Sequence, residues 1–297
     1  MQYRKLGNSD LSISIIGFGC MSLPLNNDTN AGIINKAIDA GINYFDTADI
    51  YQNGENEIAI GKAVRHVRDK IIIATKVGNK PNAHGALDWD ASKKYIISAV
   101  EQSLKRLQTD YIDLYQLHGG TIEDPIDETI EAFETLKQQG KIRHYGISSI
   151  RPNVIREYIE RSNIVSVMMQ YSLLDRRPEE SVFKLLEQNN IGLLARGSVA
   201  KGLLIDKPAE KYLNYEADDI RKAAAAIKSL SNEKKNNAQT TIRFALHAKP
   251  VACAVVGIRT MPQLEEAIQT IHYPELNENE MNYLKNILPA NYYEQHR

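Results

Sequence analysis

Cysteine is scarce in this 297-residue chain, and long hydrophobic runs are missing from it. The two cysteines, Cys20 and Cys253, stand apart in apolar segments, so the sequence favours buried free thiols over a disulfide scaffold or a zinc site. The N-terminal segment MQYRKLGNSDLS lacks the long apolar region of a secretory signal, and no later run is long enough to span a bilayer. We therefore expect a cytoplasmic protein that has no membrane contact.

Neither sign of charge is in excess: Lys and Arg together number 36, and Asp and Glu number 37, which gives a formal net charge of -1. A chain without a basic surplus has no general field that would hold a phosphate backbone, so nucleic acid is not an expected partner. Clusters of histidine and carboxylate residues at metal-ligand spacing are also missing, which argues against a metal-assisted enzyme. The hydrophobic fraction of 43% is ample for one sizeable core.

Short apolar runs alternate with longer amphipathic segments, a pattern that predicts parallel strands connected by helices. The eight predicted strands are Ile15–Phe18, Asn43–Asp46, Ile71–Thr75, Ile112–Gln116, Arg143–Ile147, Val165–Met169, Gly192–Ala195 and Ala252–Val256. The predicted helices are Asn30–Ala40, Glu55–His66, Ala91–Leu107, Ile126–Gln139, one beginning near Pro152, one near Pro178, Asp218–Leu230, Asn236–Ala248 and Met261–Ile271.

Eight strand-helix units in a chain of this length predict a closed (β/α)8 TIM barrel. No linker rich in Pro, Gly or Ser divides the chain, so residues 1–297 are expected to form a single domain. Tyr3–Leu6 and Leu11–Ser14 predict an N-terminal β-hairpin that caps one end of the barrel. Asn277–Ile287 predicts an extra C-terminal helix outside the eightfold pattern.

A doubly wound dinucleotide-binding fold is the alternative architecture, because Gly17 and Gly19 form part of a glycine-rich motif after the first strand. That motif needs a third glycine and a helix that begins at once. Ser22 replaces the third glycine, and Pro24 follows it. The barrel is therefore the favoured prediction.

Four polar residues with complementary chemistry fall at the C-terminal ends of the predicted strands, where such a barrel carries its active site. Asp46 ends the second strand, Tyr51 follows in the next loop, and Lys76 and His118 follow the third and fourth strands. An ammonium near a phenol lowers the pKa of the phenol, and a buried ammonium needs a carboxylate partner. A neutral imidazole can hydrogen-bond a substrate oxygen. Together the four suit protonation of an oxygen on which negative charge develops.

The chain resembles the aldo-keto reductase family in an ordered set of motifs that runs nearly from end to end. The residues at 41–51 are similar to the first signature of that family, and Lys76 in Ala-Thr-Lys and His118 in Leu-His match its lysine and histidine motifs. The residues at 140–149 are similar to its fifth-strand motif, and those at 256–266 to its last cofactor segment.

This resemblance implies a bacterial, NADP-dependent reductase that holds NADP(H) across the mouth of the barrel and reduces a small aldehyde or ketone. It implies that Tyr51 is the general acid and that Asp46, Lys76 and His118 complete a catalytic tetrad. The residues that it assigns to the cofactor are Cys20, Met21, Asp46, Ser148, Ser149, Gln170, Arg196, Gly197, Ser198, Ala200, Lys201, Gly202, Gly257, Arg259, Gln263 and Glu266. Arg259 favours NADP over NAD, because a guanidinium fork suits the 2'-phosphate.

Several residues depart from the family pattern. The sixth-strand glutamine aligns with Met168, and Gln170 stands two residues later. Arg196 replaces an aromatic residue that commonly stacks on the nicotinamide, and Ala267 replaces an asparagine that contacts adenine. Gln52 stands where a glycine commonly follows the tyrosine.

A second functional hypothesis stays open at this point. The beta subunits of potassium channels share this fold and tetrad, so the alternative to a reductase is a nicotinamide-nucleotide-binding regulatory or redox-sensing subunit. Residues 119–125, 203–215 and 289–297 are the loops expected to set the substrate. Neither the substrate nor the oligomeric state follows from the sequence.

Overall fold

The computed structural model describes residues 1–24, 29–82, 84–232 and 235–297. Its strands, in chain order, are β1 (Tyr3–Lys5), β2 (Ser12–Ser14), β3 (Ile16–Gly19), β4 (Tyr44–Asp46), β5 (Ile72–Val77), β6 (Asn79–Pro81), β7 (Leu87–Trp89), β8 (Ile112–Leu117), β9 (Ile142–Ser148), β10 (Ser166–Gln170), β11 (Gly192–Arg196) and β12 (Val251–Gly257). Within these residues, eight parallel strands close into a barrel in the order β3-β4-β5-β8-β9-β10-β11-β12. The predicted (β/α)8 barrel is therefore confirmed.

Helices surround the barrel between successive strands. They are α1 (Thr29–Asp39), α2 (Glu55–Val64), α3 (Lys93–Leu107), α4 (Ile126–Gln138), α5 (Pro152–Arg161), α6 (Val182–Gln188), α7 (Ala217–Ser229), α8 (Asn237–His247), α9 (Met261–Gln269) and α10 (Glu278–Ile287). Each predicted helix is present with its ends moved by a few residues. The largest changes are at α2, where a 3-10 turn at Arg65–Lys70 replaces the predicted last residues, and before α6, where a 3-10 turn at Arg177–Glu179 comes first.

Local side-chain chemistry accounts for where several helices begin. The Ser92 hydroxyl accepts a hydrogen bond from the Tyr95 N–H at the start of α3. Asn236 and Asn277 both form capping boxes, in which the side chain three residues later bonds back to the backbone of the cap. Pro152 occupies the first turn of α5, where its missing N–H costs no hydrogen bond. These caps agree with the helix starts that the sequence predicts.

The N-terminal hairpin of β1 and β2 closes one end of the barrel. Leu6, Leu11 and Ile13 are buried in the same apolar cluster as interior barrel residues such as Leu114 and Leu194. Gly7 fits this contact because a β-carbon there would lie 2.4 Å from the Val165 carbonyl oxygen, at a φ of +54°. The predicted cap is confirmed, and the opposite, C-terminal end of the barrel is left for the loops that follow each strand.

A second hairpin, formed by β6 and β7, was not predicted. It follows β5 directly, so it lies at the C-terminal mouth of the barrel. Within the described parts of the chain, no helix is long and apolar enough to cross a membrane.

Candidate active site

The four candidate catalytic residues lie on three neighbouring barrel strands and the loops that follow them. Asp46 is the last residue of β4, and Tyr51 begins a 3-10 turn just beyond it. The sequence predicts that Lys76 follows its strand, but the structure places it inside β5. His118 follows β8 immediately. Because β4, β5 and β8 are adjacent in the sheet, their C-terminal ends bring these side chains together.

Lys76 is the centre of this group. Its Nζ donates to Asp46 Oδ2 at 2.7 Å, to the Thr47 carbonyl oxygen at 2.6 Å and to the Tyr51 hydroxyl at 3.3 Å. The three donors of the ammonium are therefore all directed at acceptors. His118 completes the group, with its ring centroid 6.0 Å from that of Tyr51 and the two rings nearly perpendicular.

The charge state of Lys76 follows from its surroundings. The side chain is fully buried, and burial by itself lowers the pKa of an ammonium. The charge of Asp46 and the hydrogen bonds to Asp46 and Tyr51 outweigh burial, so the pKa of Lys76 is raised. Lys76 therefore remains a cation at neutral pH and is neutralised by a carboxylate at 2.7 Å.

Tyr51 holds its proton more firmly than the sequence argument expected. Burial raises the pKa of the phenol, and the Lys76 charge lowers it by a smaller amount, so the net direction is upward. Lys76 thus acts in the expected direction without making Tyr51 acidic overall. The phenol is protonated at neutral pH and next to a cation that would stabilise its anion.

His118 is neutral, which is the state that the sequence argument assumed. Burial lowers the pKa of its imidazole to about 3, and the charges of Lys76 and Arg196 act in the same direction. Its Nδ1 is buried and has no hydrogen-bond partner among the described residues. The ring is therefore a neutral group beside Tyr51 and Lys76.

The sixteen candidate cofactor residues fall on the remaining side of the same mouth, apart from Asp46. They follow β3, β9, β10, β11 and β12, which are consecutive around the barrel. Cys20 and Met21 follow β3, Ser148 ends β9 and Ser149 follows it, and Gln170 ends β10. The others are Arg196, Gly197, Ser198, Ala200, Lys201 and Gly202 after or at the end of β11, and Gly257, Arg259, Gln263 and Glu266 after or at the end of β12.

Several members of this set have groups that remain free within the described chain. The side chains of Ser148, Arg196 and Arg259 make no hydrogen bond or ion pair to any described residue, and Arg259 is exposed. Gly197 has a φ of +71°, and a β-carbon there would lie 3.2 Å from Gln170 Cγ, so the backbone passes close to that side chain. Cys20, by contrast, is fully buried, and its carbonyl oxygen already accepts a hydrogen bond from Asn56, so it presents no free group to a ligand in this arrangement.

Glu266 has a neighbour that the sequence did not suggest. Asn236, the cap of α8, donates from its side-chain nitrogen to Glu266 Oε1. Burial raises the pKa of Glu266, and the bond from Asn236 partly offsets this. An amide is therefore present beside Glu266 although position 267 is alanine, and it comes from a residue 30 positions away.

The hairpin of β6 and β7 places Trp89 beside the histidine loop. The Trp89 Nε1 donates to Asp124 Oδ1 at 2.9 Å, and the ring would lie 2.7 Å from a β-carbon at Gly78 and 3.1 Å from one at Gly119. Asn79 in the same hairpin donates to the His118 carbonyl oxygen at 3.2 Å. The hairpin therefore holds the loops that follow β5 and β8.

A separate groove of about 280 Å³ lies between α5 and α6 and shares no residue with the candidate site. Its lining residues are Pro152, Arg156, Ser181, Val182, Lys184, Leu185 and Gln188.

Comparison with known proteins identifies the family and agrees with the barrel fold. The sequence profile described as the Aldo/keto reductase family matches residues 15–289. The chain is 48% identical to an uncharacterised oxidoreductase of Bacillus subtilis (strain 168), YqkF, with 100% of both chains covered. It is 36% identical to the aldo-keto reductase YhdN of the same organism, over 74% of this chain and 69% of that protein.

Among solved structures, the chain is similar to aldo-keto reductase AKR11C1 from Bacillus halodurans. The holo form has a TM-score of 0.94 at 48% identity and covers 100% of this chain and 99% of that chain. The apo form has the same coverage with a TM-score of 0.86 at 46% identity.

Proposed function

The chain belongs to the aldo/keto reductase family of oxidoreductases, and we propose that it catalyses the NADPH-dependent reduction of an aldehyde or ketone to an alcohol. The observation that carries the proposal is the bonded group at the mouth, in which buried Lys76 contacts both Asp46 and the Tyr51 hydroxyl. A neutral His118 lies beside it. Tyr51 can therefore donate a proton, and the adjacent Lys76 ammonium can stabilise the phenolate that remains.

Each residue of the tetrad has a role that follows from its surroundings. Tyr51 donates the proton to the carbonyl oxygen, and Lys76 stabilises the phenolate that is left. Asp46 keeps Lys76 charged and holds its Nζ in place. Neutral His118 orients the carbonyl by a hydrogen bond to its oxygen without placing a second cation in the pocket. When bound, a reduced nicotinamide nucleotide supplies the hydride that the carbonyl carbon accepts.

We propose that the nucleotide lies along the arc of loops that follows β9 to β12 and β3. Support comes from the positive φ at Gly197, from the exposure of Arg259, and from the Ser148 hydroxyl and the Arg259 guanidinium, neither of which is paired with a described residue. A guanidinium fork binds a phosphate in a bidentate way, so Arg259 favours NADPH over NADH. Arg196 presents a planar cation at the position where an aromatic ring commonly stacks on the nicotinamide, and a guanidinium can stack in the same way.

The first experiment asks whether wild-type protein oxidises NADPH in the presence of reactive aldehydes and ketones, by following nicotinamide absorbance. Tyr51→Phe is expected to lower kcat by about 100-fold or more, since a positioned general acid contributes that much. NADPH affinity, measured by fluorescence titration, is expected to stay nearly unchanged, because the lost hydroxyl acts on the substrate oxygen.

Tyr283→Phe is the matched control, because Tyr283 is an exposed tyrosine of α10 outside the site. It is expected to leave both kcat and affinity as they are. Tight nucleotide binding without turnover of any carbonyl would support a regulatory subunit instead. Full activity of Tyr51→Phe would remove Tyr51 from the role of general acid.

A further inference from the structure

The turn that carries Tyr51 has an unusual backbone. Gln52, Asn53 and Gly54 have φ values of 52°, 55° and 90°, so three consecutive residues lie in the left-handed region. Glycine adopts this region without penalty, whereas glutamine and asparagine do so at a cost in free energy. Two adjacent non-glycine residues keep this conformation only where surrounding contacts stabilise it, so the turn must be held by contacts to other parts of the chain.

Gln52 joins the turn to a different loop of the barrel mouth. Its Nε2 donates to the Leu23 carbonyl oxygen at 2.7 Å, and its Oε1 accepts from Asn56 Nδ2 at 3.1 Å. Leu23 lies in the loop that follows β3, whereas Gln52 lies in the loop that follows β4. Both ends of the Gln52 amide are therefore occupied, and they link two neighbouring loops of the mouth.

Asn56 extends this link to the residues around Lys76. It is 1% exposed, and its Nδ2 also donates to the Cys20 carbonyl oxygen at 2.9 Å. Its Oδ1 accepts from the Thr47 hydroxyl at 2.7 Å, and the Thr47 carbonyl oxygen accepts from Lys76 Nζ. The Gln52–Asn56 amide pair therefore connects the β3 loop, the Tyr51 turn and the segment that holds the ammonium.

From these contacts we propose that Gln52 and Asn56 are positioning residues that keep the Tyr51 hydroxyl within hydrogen-bond distance of Lys76. The inference rests on the proposed function, in which Tyr51 is the general acid. Tyr51 is covalently next to Gln52, and its contact with Lys76 is long at 3.3 Å, so a small rotation of the turn would break it. The Gln52 amide thus holds the turn by two hydrogen bonds that a glycine at that position could not form.

The same amide pair has a second consequence for the site. It binds the carbonyl oxygens of Cys20 and Leu23, at the two ends of the short segment that follows β3. That segment contains the residues proposed to contact the nucleotide from the β3 side. The general acid and this part of the cofactor loop are therefore held in one arrangement by one pair of side chains.

The test compares three single variants by steady-state kinetics. Gln52→Gly removes the amide and relieves the backbone, and Gln52→Met removes the amide while a side chain of similar length remains. Asn53→Gly is the control: Asn53 is exposed, has nearly the same φ, and its side chain forms no hydrogen bond within the described chain.

Both Gln52 variants lose the two hydrogen bonds of the amide and are expected to lower kcat by about tenfold, with less than about threefold change in the carbonyl KM. The apparent pKa of the acid in the kcat profile is expected to rise, because the phenolate loses part of its contact with Lys76. Asn53→Gly is expected to match wild type in kcat and in the pH profile. A role in folding alone would lower stability and the fraction of active enzyme without moving the pKa.

A second measurement needs no turnover. Proteins with ring-labelled tyrosine are titrated by NMR without nucleotide, and the Tyr51 signal is assigned from its loss in Tyr51→Phe. The Tyr51 pKa is expected to be higher in both Gln52 variants than in wild type and Asn53→Gly. An unchanged pKa in Gln52→Met overturns the inference even if wild type reduces carbonyls. If the Tyr51 pKa is raised in both Gln52 variants but the wild-type protein reduces no carbonyl, the result supports the positioning role and rejects the proposed function.

Discussion

At the scale of single residues, Asp49 is a carboxyl group whose surroundings oppose its charge. Burial and the charge of Glu57 together raise the pKa of Asp49 to about 7, because Arg106 only partly offsets them. Arg106 Nε is bonded to fully buried Glu57 at 2.6 Å, so that cation is already paired. Asp49 Oδ1 has no hydrogen-bond partner in the described part of the chain. The protein therefore favours the protonated form of Asp49.

Because the pKa of Asp49 is raised in the folded chain, the free energy of unfolding should depend on pH, and Asp49→Asn should remove this dependence. A folded-state pKa of about 7 lies above the unfolded value of about 3.9, so the folded chain binds more protons between these two pH values. Wild-type stability is therefore expected to fall as pH rises from about 4 to about 7. Urea denaturation should show Asp49→Asn to be more stable than wild type at pH 8, by at most about 4 kcal/mol.

The difference between the two proteins should shrink towards pH 4, at which Asp49 is neutral in the folded chain and only about half ionised in the unfolded chain, and this serves as the internal control. A difference that is the same at pH 4 and pH 8 would mean that the substitution acts through packing and not through the charge.

The four residues of the proposed tetrad could be predicted from the sequence to lie together, whereas the residues that support them could not. Asp46, Lys76 and His118 are recognisable because each polar residue follows a buried apolar run, and strand ends converge in a barrel. Gln52 and Asn56 act through the carbonyl groups of another loop, whose position depends on the closure of the barrel. No spacing in the sequence indicates such a contact.

At the scale of elements, the packing of α2 on α3 depends on a glycine. A β-carbon at Gly61 in α2 would lie 2.3 Å from the carbonyl oxygen of Leu107, the last residue of α3. Gly32 in α1 has no heavy atom of another described segment within 4 Å of the corresponding point and is exposed. The two glycines are both helical, but only Gly61 lies where a side chain would collide with a neighbouring helix.

The two alanine substitutions are expected to have opposite effects. Gly32→Ala should raise stability by roughly 0.5–1 kcal/mol, because alanine loses less conformational entropy in a helix. Gly61→Ala should lower it by roughly 1–3 kcal/mol, because the new methyl group forces the helices apart. Urea denaturation measures both. Stabilisation by Gly61→Ala would show that α2 moves away from α3 at little cost.

Periodicity predicted the barrel strands and helices because each buries an apolar face of regular spacing. The β6–β7 hairpin was missed because its strands, Asn-Lys-Pro and Leu-Asp-Trp, are short and have no apolar alternation. The only sequence signal is the pair of turn-forming residues Asn82 and Gly85 between them. The hairpin is held by contacts to the loops of other strands, such as Trp89 with Asp124.

At the scale of the whole molecule, the closed barrel supports our proposal that residues 1–297 form one domain. The C-terminal tail is fastened to it by Asn291, which accepts from the Arg176 N–H at 2.8 Å and donates to the Leu174 carbonyl oxygen at 3.1 Å. These partners are 115 and 117 residues away in sequence. The count of strand-helix units predicts the barrel, but not which loop the tail contacts.

Nucleotide binding should stabilise the whole chain, and the size of the effect tests cofactor preference. A ligand that binds only the folded state adds about 2.7 kcal/mol at 100 times its Kd. If Arg259 binds the 2'-phosphate, NADPH should raise Tm by more than NADH at equal concentration. A charge-assisted bond of roughly 1.5–3 kcal/mol corresponds to a difference of several degrees. High salt should reduce this gap, because the contact is exposed.

Arg259→Ala should remove most of that gap by lowering the NADPH effect and leaving the NADH effect unchanged. Arg65→Ala is the matched control, since Arg65 is an exposed arginine that begins the 3-10 turn after α2, at the end of the helix away from the mouth. It should behave as wild type with both nucleotides. Thermal denaturation of the three proteins, each with either nucleotide, gives the comparison. Equal losses for NADPH and NADH in Arg259→Ala would show that the guanidinium does not distinguish the 2'-phosphate, and cofactor preference would then have to come from another part of the arc.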